Sequence, residues 1–405
     1  LLIYKNILIE FEIDIIYRKD IMSKKYFYRL GHCPLLGLAE YSVLSKDAYF
    51  ENNQEWILSN NNQQINTTGS LILSGEVIEQ IPDSANFDSS KVIQSVESKL
   101  KEEVISKLGI AVFPRWQQTF FRLAKTNGYK KINLLKNPEK LNFGHWKSCK
   151  KWLLSFKFEG KIIFGLINDY ANQEFWAGLD TSLPNNNISK GIINLKLARS
   201  LVNLAGEKLL WDPFAGQGRV FISSLDKERV FLNSDKDLQC LPEIKENYEH
   251  AKKYWLQKSK YLGLGKSQGK GGKFPDPFFF DVTKSKIEKI EEFSGGNAFS
   301  IVTEGYLGKN YGYLPSFEEF DQQLNIVFQI WKKFLKSVSR VNVKEIIFCV
   351  PAIKTVNPSL TLQMFEKILK ENNFTIINPS QEKKYILYRR PQTIVAHQVI
   401  MARKD

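Results

Sequence analysis

The sequence predicts an α/β chain: a mostly parallel, seven-stranded, doubly wound sheet over residues 176–405, preceded by a smaller α+β domain over residues 22–175. Three observations lead there. Strand-length apolar runs alternate with helix-length runs from Lys208 onwards. The first of those strands ends in a glycine-rich turn, Asp212-Pro-Phe-Ala-Gly-Gln-Gly218, which is where such a sheet presents its ligand-binding loop. A chain of 405 residues is also longer than one ordinary core organises, and its 43% hydrophobic and 13% aromatic content supplies apolar side chains for two.

The elements follow in order. Ile192 to Ala205 carries a helical apolar spacing and leads into the strand Lys208–Trp211 and its turn. Val230–Asp235 is the second strand, followed by a helix through about Trp255. Phe278–Asp281 is a third strand, with a helix near 284–293 behind it. Phe299–Val302 is a fourth, then a long helix over 316–338 and a fifth strand over Glu345–Val350. Tyr385–Tyr388 and the apolar runs Thr393–Val395 and Val399–Met401 flank Arg389-Arg-Pro-Gln392 and read as a closing antiparallel pair. Lys- and Gly-rich 256–273 interrupts the rhythm as a loop; from 251 to 273 it has seven lysines and no acids. Its Gly265-Lys-Ser267 is not a phosphate loop, because Lys260 stands where the first glycine is needed and no strand precedes it.

From Tyr26 to about Asp169, short alternating runs predict the small mixed domain. Within 101–160 there are 13 Lys+Arg against 4 Asp+Glu, interleaved with Trp116, Phe120, Phe121, Tyr129, Phe143, Trp146 and Trp152. Such a mixture can hold a phosphate backbone and stack on bases, or it can be a core with a solvated lysine face. The net charge of +14 favours a polyanionic partner, although an Asn-, Lys- and Ile-rich composition also produces it without one.

Four scattered cysteines with no Cys-x-x-Cys pair exclude a zinc ribbon and a disulfide framework and point to a reducing compartment, the cytoplasm. The four scattered histidines point to no metal site. Residues 1–21 are apolar, but Lys5, Glu10, Glu12 and Asp14 interrupt them, so no membrane anchor is expected. Met22-Ser-Lys-Lys25 reads as a natural start, which makes 1–21 an upstream extension or else a strand.

The chemistry concentrates at the predicted strand ends. Gly216 and Gly218 let a ligand approach the backbone of the first turn, with Phe214 between them and Asp212. An anion at Asp212 would repel a phosphate but suits a ligand carrying an ammonium and a sulfonium, as S-adenosyl-L-methionine does. Asp235 ends the second strand 23 positions on, near the spacing of about 20 at which an acid reaches ribose hydroxyls in these folds. Asp237 is the fallback for that role. Asp281 ends the third strand, within reach of an adenine amino group. Any of these acids alone is equally a helix cap; their succession at strand ends is the signal. The fourth strand runs into Thr303-Glu-Gly-Tyr-Leu-Gly308, where an acceptor meets the donor. Glu304 is placed to hold an exocyclic amine and Tyr306 to stack on its base, unless Tyr306 merely packs locally and Glu304 caps a turn.

These segments, with Tyr26-Phe-Tyr-Arg-Leu-Gly31, Leu38-Ala-Glu40, Gly191 through Ala205 and Leu387-Tyr-Arg-Arg-Pro391, resemble the tRNA guanosine-N2 methyltransferases, which join a THUMP-containing RNA-binding region to a Rossmann-like class I methyltransferase domain. The resemblance covers most of 26–400, loosely across 45–180. It implies tRNA as partner, S-adenosyl-L-methionine as cofactor, guanine N2 as target, and Glu304 and Tyr306 as the catalytic loop. Two departures stand out: Gly305 replaces an expected proline, which loosens the turn unless neighbours hold it, and Glu304 replaces the usual, shorter Asp. The residues themselves leave open a DNA adenine-N6 or cytosine-N4 methyltransferase, and a degenerate RNA-binding protein that keeps the donor site without turnover.

Overall fold

The computed structural model describes residues 25–45, 50–63, 65, 68–83, 89–102, 107–141, 145, 148–149, 151–171, 173–187, 192–227, 229–262, 275–378, 384–390 and 393–405. Residues 1–21, Phe143, Trp146 and the loop beyond Leu262 up to 273 lie outside them. The chain divides into two units. Of the described residues, one holds those up to Gly31, those within 45–66 and those within 71–171; the other holds those within 32–44, 68–70 and 172–405. The last break between them along the chain follows Ala171. The helix α1 (Pro34–Ser45), expected in the front domain, belongs almost wholly to the second unit. Two contacts hold it there: Leu36 and Ala39 are buried in that unit's apolar core, and Glu40 is fully buried and needs donors. It accepts from the N–H groups of Gly69 and Ser70 at 2.8 and 2.9 Å, from the Ser200 hydroxyl at 3.1 Å and from Asn203.

The first unit is an eight-stranded mixed sheet in the order β2-β3-β1-β4-β8-β7-β5-β6. Its strands are β1 (Tyr26–Leu30), β2 (Glu51–Asn52), β3 (Trp56–Ser59), β4 (Leu71–Pro82), β5 (Lys107–Ala111), β6 (Lys131–Leu134), β7 (Trp152–Phe158) and β8 (Lys161–Tyr170), with helices α2 (Ser89–Glu102) and α3 (Pro114–Thr126). Four of the aromatic residues singled out above are core. Trp116, Phe120, Tyr129 and Trp152 are 8, 0, 6 and 1% exposed, and Trp116, Phe120 and Phe164 pack ring on ring. The base-stacking role therefore fails for those four, while Phe121 is half-buried against the same core. Of the described lysines and arginines between them, Arg115, Arg122, Lys125, Lys130, Lys131, Lys136 and Lys140 are exposed. Helical and strand periodicity sorts the two kinds of side chain onto opposite faces.

The second unit is the expected doubly wound sheet. Its path is β11-β10-β9-β12-β13-β16-β14, and β15 also pairs with β16. The strands are β9 (Leu209–Asp212), β10 (Val230–Asp235), β11 (Phe278–Phe279), β12 (Phe299–Thr303), β13 (Val343–Ala352), β14 (Phe374–Ile377), β15 (Ile386–Tyr388) and β16 (Ala396–Lys404). Strands β9 to β13 pair in parallel; β16 is antiparallel to β13, β14 and β15. Because β13 covers β16 from Ala396 to Arg403, β14 and β15 share its other edge, giving seven columns.

The connecting helices are α4 (Gln173–Ser182), α5 (Leu195–Leu204), α6 (Arg219–Ile222), α7 (Cys240–Leu262), α8 (Glu288–Ser294), α9 (Phe317–Val338) and α10 (Pro358–Lys370). The long one, α9, starts where its sequence dictates: Ser316 and Glu319 form a reciprocal capping box, and Phe320, Leu324, Val327, Trp331, Phe334 and Val338 recur at helical spacing on the buried face. Burial stabilises each such side chain by about 2 kcal/mol before entropy is counted. Strand order reverses between β9 and β12, so the crevice beyond their carboxyl ends is the natural ligand position.

Candidate active site

Strand β9 ends on Asp212, and the turn that follows is tied down by its own backbone. Ala215 N–H donates to Ser234 O at 3.0 Å and Gly218 N–H to Ala215 O at 2.7 Å. Gly216 (φ +50) and Gly218 (φ +77) are both left-handed, for different reasons. A Cβ at Gly218 would lie 3.0 Å from Ile244 Cγ2, so this glycine lets α7 pack close. At Gly216 a Cβ would meet nothing within 4 Å, and the backbone there borders an open cavity of about 540 Å³. That volume falls in the range of small-molecule sites.

All six residues predicted to hold the donor line this cavity except Gly218, which lies behind the turn. Asp212 is 1% exposed, and burial pushes its carboxyl up to about 7; a Thr303 side-chain hydrogen bond and the Phe214 N–H oppose this, while the charges of Asp235 and Glu304 add to it. Among the described residues no ion pair forms to Asp212. It is a carboxylate whose ionisation a cation would relieve. Phe214 leans on Trp331 and Phe334, with ring centroids 5.5 and 5.8 Å away. Asp235 is raised by burial and accepts from Gly216 N–H and Asp237 N–H, both at 2.9 Å, and from the Lys236 backbone; of its four lone-pair sites one is left over. Asp237 lines the same cavity but commits Oδ1 to Gln239 N–H at 3.0 Å, at the entry to α7. Asp281 lies beyond the end of β11, which is two residues long where four were expected. Burial pushes its carboxyl up, but the Thr283 hydroxyl at 2.7 Å and N–H at 2.9 Å outweigh this, and it sits below the usual range.

Past β12, Glu304, Gly305 and Tyr306 form the junction with a second cavity of about 500 Å³, which they share with Ile192, Ile193 and Arg219. Gly305 is left-handed at φ +73, and a Cβ there would lie 2.9 Å from Trp331 Cζ2 and 3.3 Å from Cys349 O. Its N–H donates to Thr303 Oγ1 at 3.0 Å. The turn is therefore held by its neighbours, in a conformation that proline's fixed negative φ cannot adopt. Tyr306 is 38% exposed, its ring face 6.0 Å from Lys236 Nζ, and so is available for stacking.

Three residues here carried no functional prediction. His397 on β16 places Nε2 2.6 Å from Glu304 Oε1. Arg219, 4% exposed, pairs with Asp180 and donates to Asn186 Oδ1 at 2.8 Å. Arg390 lines the second cavity and donates to Ile192 O at 3.2 Å. Arg219 adjoins the glycine turn and Arg390 lies in the quoted Leu387–Pro391 segment; His397 had no local signal at all. The four cysteines are free, and no cluster suited to a metal ion occurs among the described residues. No described helix is long and apolar enough to cross a membrane.

No protein-family model and no curated protein matches the chain. Among solved structures, TrmN from Thermus thermophilus shares 10% identity at a TM-score of 0.45, covering 94% of this chain and 100% of its own. A possible methylase from Clostridium difficile shares 12% at 0.41, over 93% and 97%. M. capricolum TrmK, solved with S-adenosyl-homocysteine, shares 12% at 0.28, over 52% and 68%. Independently of these likenesses, the strand order of the second unit assigns it to the α/β class with a Rossmann-like, mostly parallel sheet, following a mixed α+β unit along the chain.

Proposed function

We propose that the chain is an S-adenosyl-L-methionine-dependent methyltransferase of the THUMP-containing tRNA family, acting in the cytoplasm on an exocyclic base amine of tRNA, guanosine N2 in particular. The observation that carries this reading is the meeting of two cavities at Glu304–Tyr306, one of them floored by a buried carboxyl that lacks a cation. The donor fits that floor: Asp212 takes its ammonium group, Gly216 leaves room for it against the backbone, Asp235 keeps accepting capacity for a ribose hydroxyl, and Asp281 is within the same cavity for the adenine amine. When bound, it supplies a methyl group activated by a positive sulfur.

On the acceptor side, Glu304 is an acceptor-only group when ionised. Guanine offers a ring N–H and an amine N–H side by side, both donors, and a carboxylate can take both. Adenine and cytosine set a ring-nitrogen lone pair beside the amine, which a carboxylate repels. Glu304 also accepts the proton that the amine sheds, and Tyr306 stacks on the base. Orientation and exclusion of water are the main contributions asked of the protein. The exposed cations of the first unit are suited to RNA phosphates.

The test is transfer of labelled methyl from S-adenosyl-L-methionine to bulk tRNA and to duplex DNA, by wild type and Asp212→Ala. Label in tRNA that is lost in the variant and found in N2-methylguanosine supports the reading. Label in DNA moves the substrate class, and donor binding without label in either acid leaves a binding protein.

A further inference from the structure

Glu304 is a long side chain with three rotatable bonds, close enough to Asp212 and Arg219 to be repelled by the one and attracted by the other. Left to itself, its carboxylate would not hold one plane, and holding it costs about 1.5 kcal/mol of side-chain entropy. The structure provides a partner. His397 Nε2 lies 2.6 Å from Glu304 Oε1, with the two side chains 10% and 17% exposed. An ionised carboxylate only accepts, so Nε2 carries the hydrogen in that contact.

The imidazole is itself wedged by regular elements. His397 sits on β16 opposite Pro351 of β13 and Tyr388 of β15. The Tyr388 ring stands across it at 6.2 Å and 75°. The Tyr388 hydroxyl accepts from Asn194 Nδ2 at 2.8 Å, and Asn194 Oδ1 caps α5 by taking Leu197 N–H at 2.7 Å. A helix cap, a tyrosine and a histidine thus stand in sequence behind the one acid at the junction of the two cavities.

Resting on the methyltransferase reading above, we infer that His397 is the positioning residue of the acceptor side: its Nε2–H fixes the carboxylate plane of Glu304 by taking one lone pair of Oε1, and leaves Oε2 for the base amine and the second Oε1 lone pair for the neighbouring ring N–H. Misplacing a reacting group by about 1 Å costs roughly a hundredfold in rate, which sets the effect of losing this contact.

The experiment uses the full chain with S-adenosyl-L-methionine and bulk tRNA, comparing wild type, His397→Leu and His397→Gln. In His397→Leu, kcat falls by about a hundredfold while KM for tRNA and Kd for the donor hold. Glutamine carries an N–H at a similar reach and restores most of the rate. A leucine variant as fast as wild type overturns the inference. So does a glutamine variant as slow as leucine with wild-type donor affinity and thermal unfolding. If the wild-type chain transfers no methyl, the functional reading fails, and the pair is then read by proton NMR. A downfield, slowly exchanging ring N–H that vanishes in Glu304→Ala is expected, and its absence from wild type overturns the pairing.

Discussion

Replacing Asp212 by asparagine should stabilise the protein, and more so as the pH rises. The carboxyl titrates at about 7 in the folded chain against 3.8 for an unperturbed one, chiefly because it is buried. As pH rises from acid, the unfolded chain releases this proton first and the folded chain holds it until near neutrality. Through that window the unfolded state binds fewer protons, so stability falls; the penalty is absent below the unfolded value and complete above the folded one. A displacement of this size corresponds to about 4 kcal/mol, and full burial means no solvent discount applies.

Asparagine does not titrate and so escapes the penalty. It retains an acceptor for Phe214 N–H, while the Thr303 hydroxyl, which already accepts from Gly305 N–H, loses its own acceptor at a pH-independent cost of about 1 kcal/mol. Denaturant unfolding of wild type and Asp212→Asn at about pH 5 and about pH 8 should show the difference growing by roughly 3 kcal/mol in favour of the variant. At the alkaline end this amounts to a rise in Tm of about 10 °C. A difference that does not change with pH would refute the claim that Asp212 is a strained, unpaired carboxyl.

The same carboxyl must ionise to hold a cationic donor, so donor affinity measured calorimetrically should fall about tenfold per pH unit below neutrality in wild type, and be low and flat in Asp212→Asn. Gly216→Ala and Gly218→Ala should separate binding from folding. The first, with open space around its Cβ, should cost about 1 kcal/mol of stability and a larger share of donor affinity, and the second, against Ile244, about 2 kcal/mol of stability; calorimetry and thermal unfolding distinguish them. Gly305→Pro should abolish methyl transfer and destabilise by about 3 kcal/mol, because Gly305 is left-handed and packed on Trp331; a variant with wild-type unfolding would contradict that geometry. Asp226→Asn should cost about 4 kcal/mol in urea, since it leaves the fully buried Arg199 guanidinium without the carboxylate that Nη1 reaches at 2.8 Å.

Much of the second unit was legible because its elements are local. The run Val230–Asp235 is the observed β10, and the long helix expected over 316–338 is α9, Phe317–Val338, with Ser316 as its cap. Other elements owe their form to neighbours. The strand β14, Phe374–Ile377, is four residues long and gains its partner only when β16 arrives more than twenty positions later. In composition the aromatic residues of 101–160 fit either a stacking surface or a core, and Trp116 and Trp152 are core. Composition counts side chains without their direction, and the helix and sheet turn the lysines outward and the rings inward.

The candidate site shows the same divide between its two sides. Asp212, Asp235 and Asp281 come from the ends of consecutive strands, a spacing that chain order preserves, so the donor side could be read as a series. The acceptor side is assembled by the antiparallel strand β16, which returns between β13 and β14 and brings His397 to Glu304 across 93 positions of sequence. Gly305 depends on that assembly too. Judged alone it weakens the turn, but with Trp331 behind it and Thr303 receiving its N–H, the left-handed backbone is what keeps Glu304 at the mouth of both cavities. A proline-based turn stiffens through its own ring, whereas this one is stiffened by packing. Its precision should therefore be lost together with the Trp331 contact, even where every residue of the loop is left unchanged.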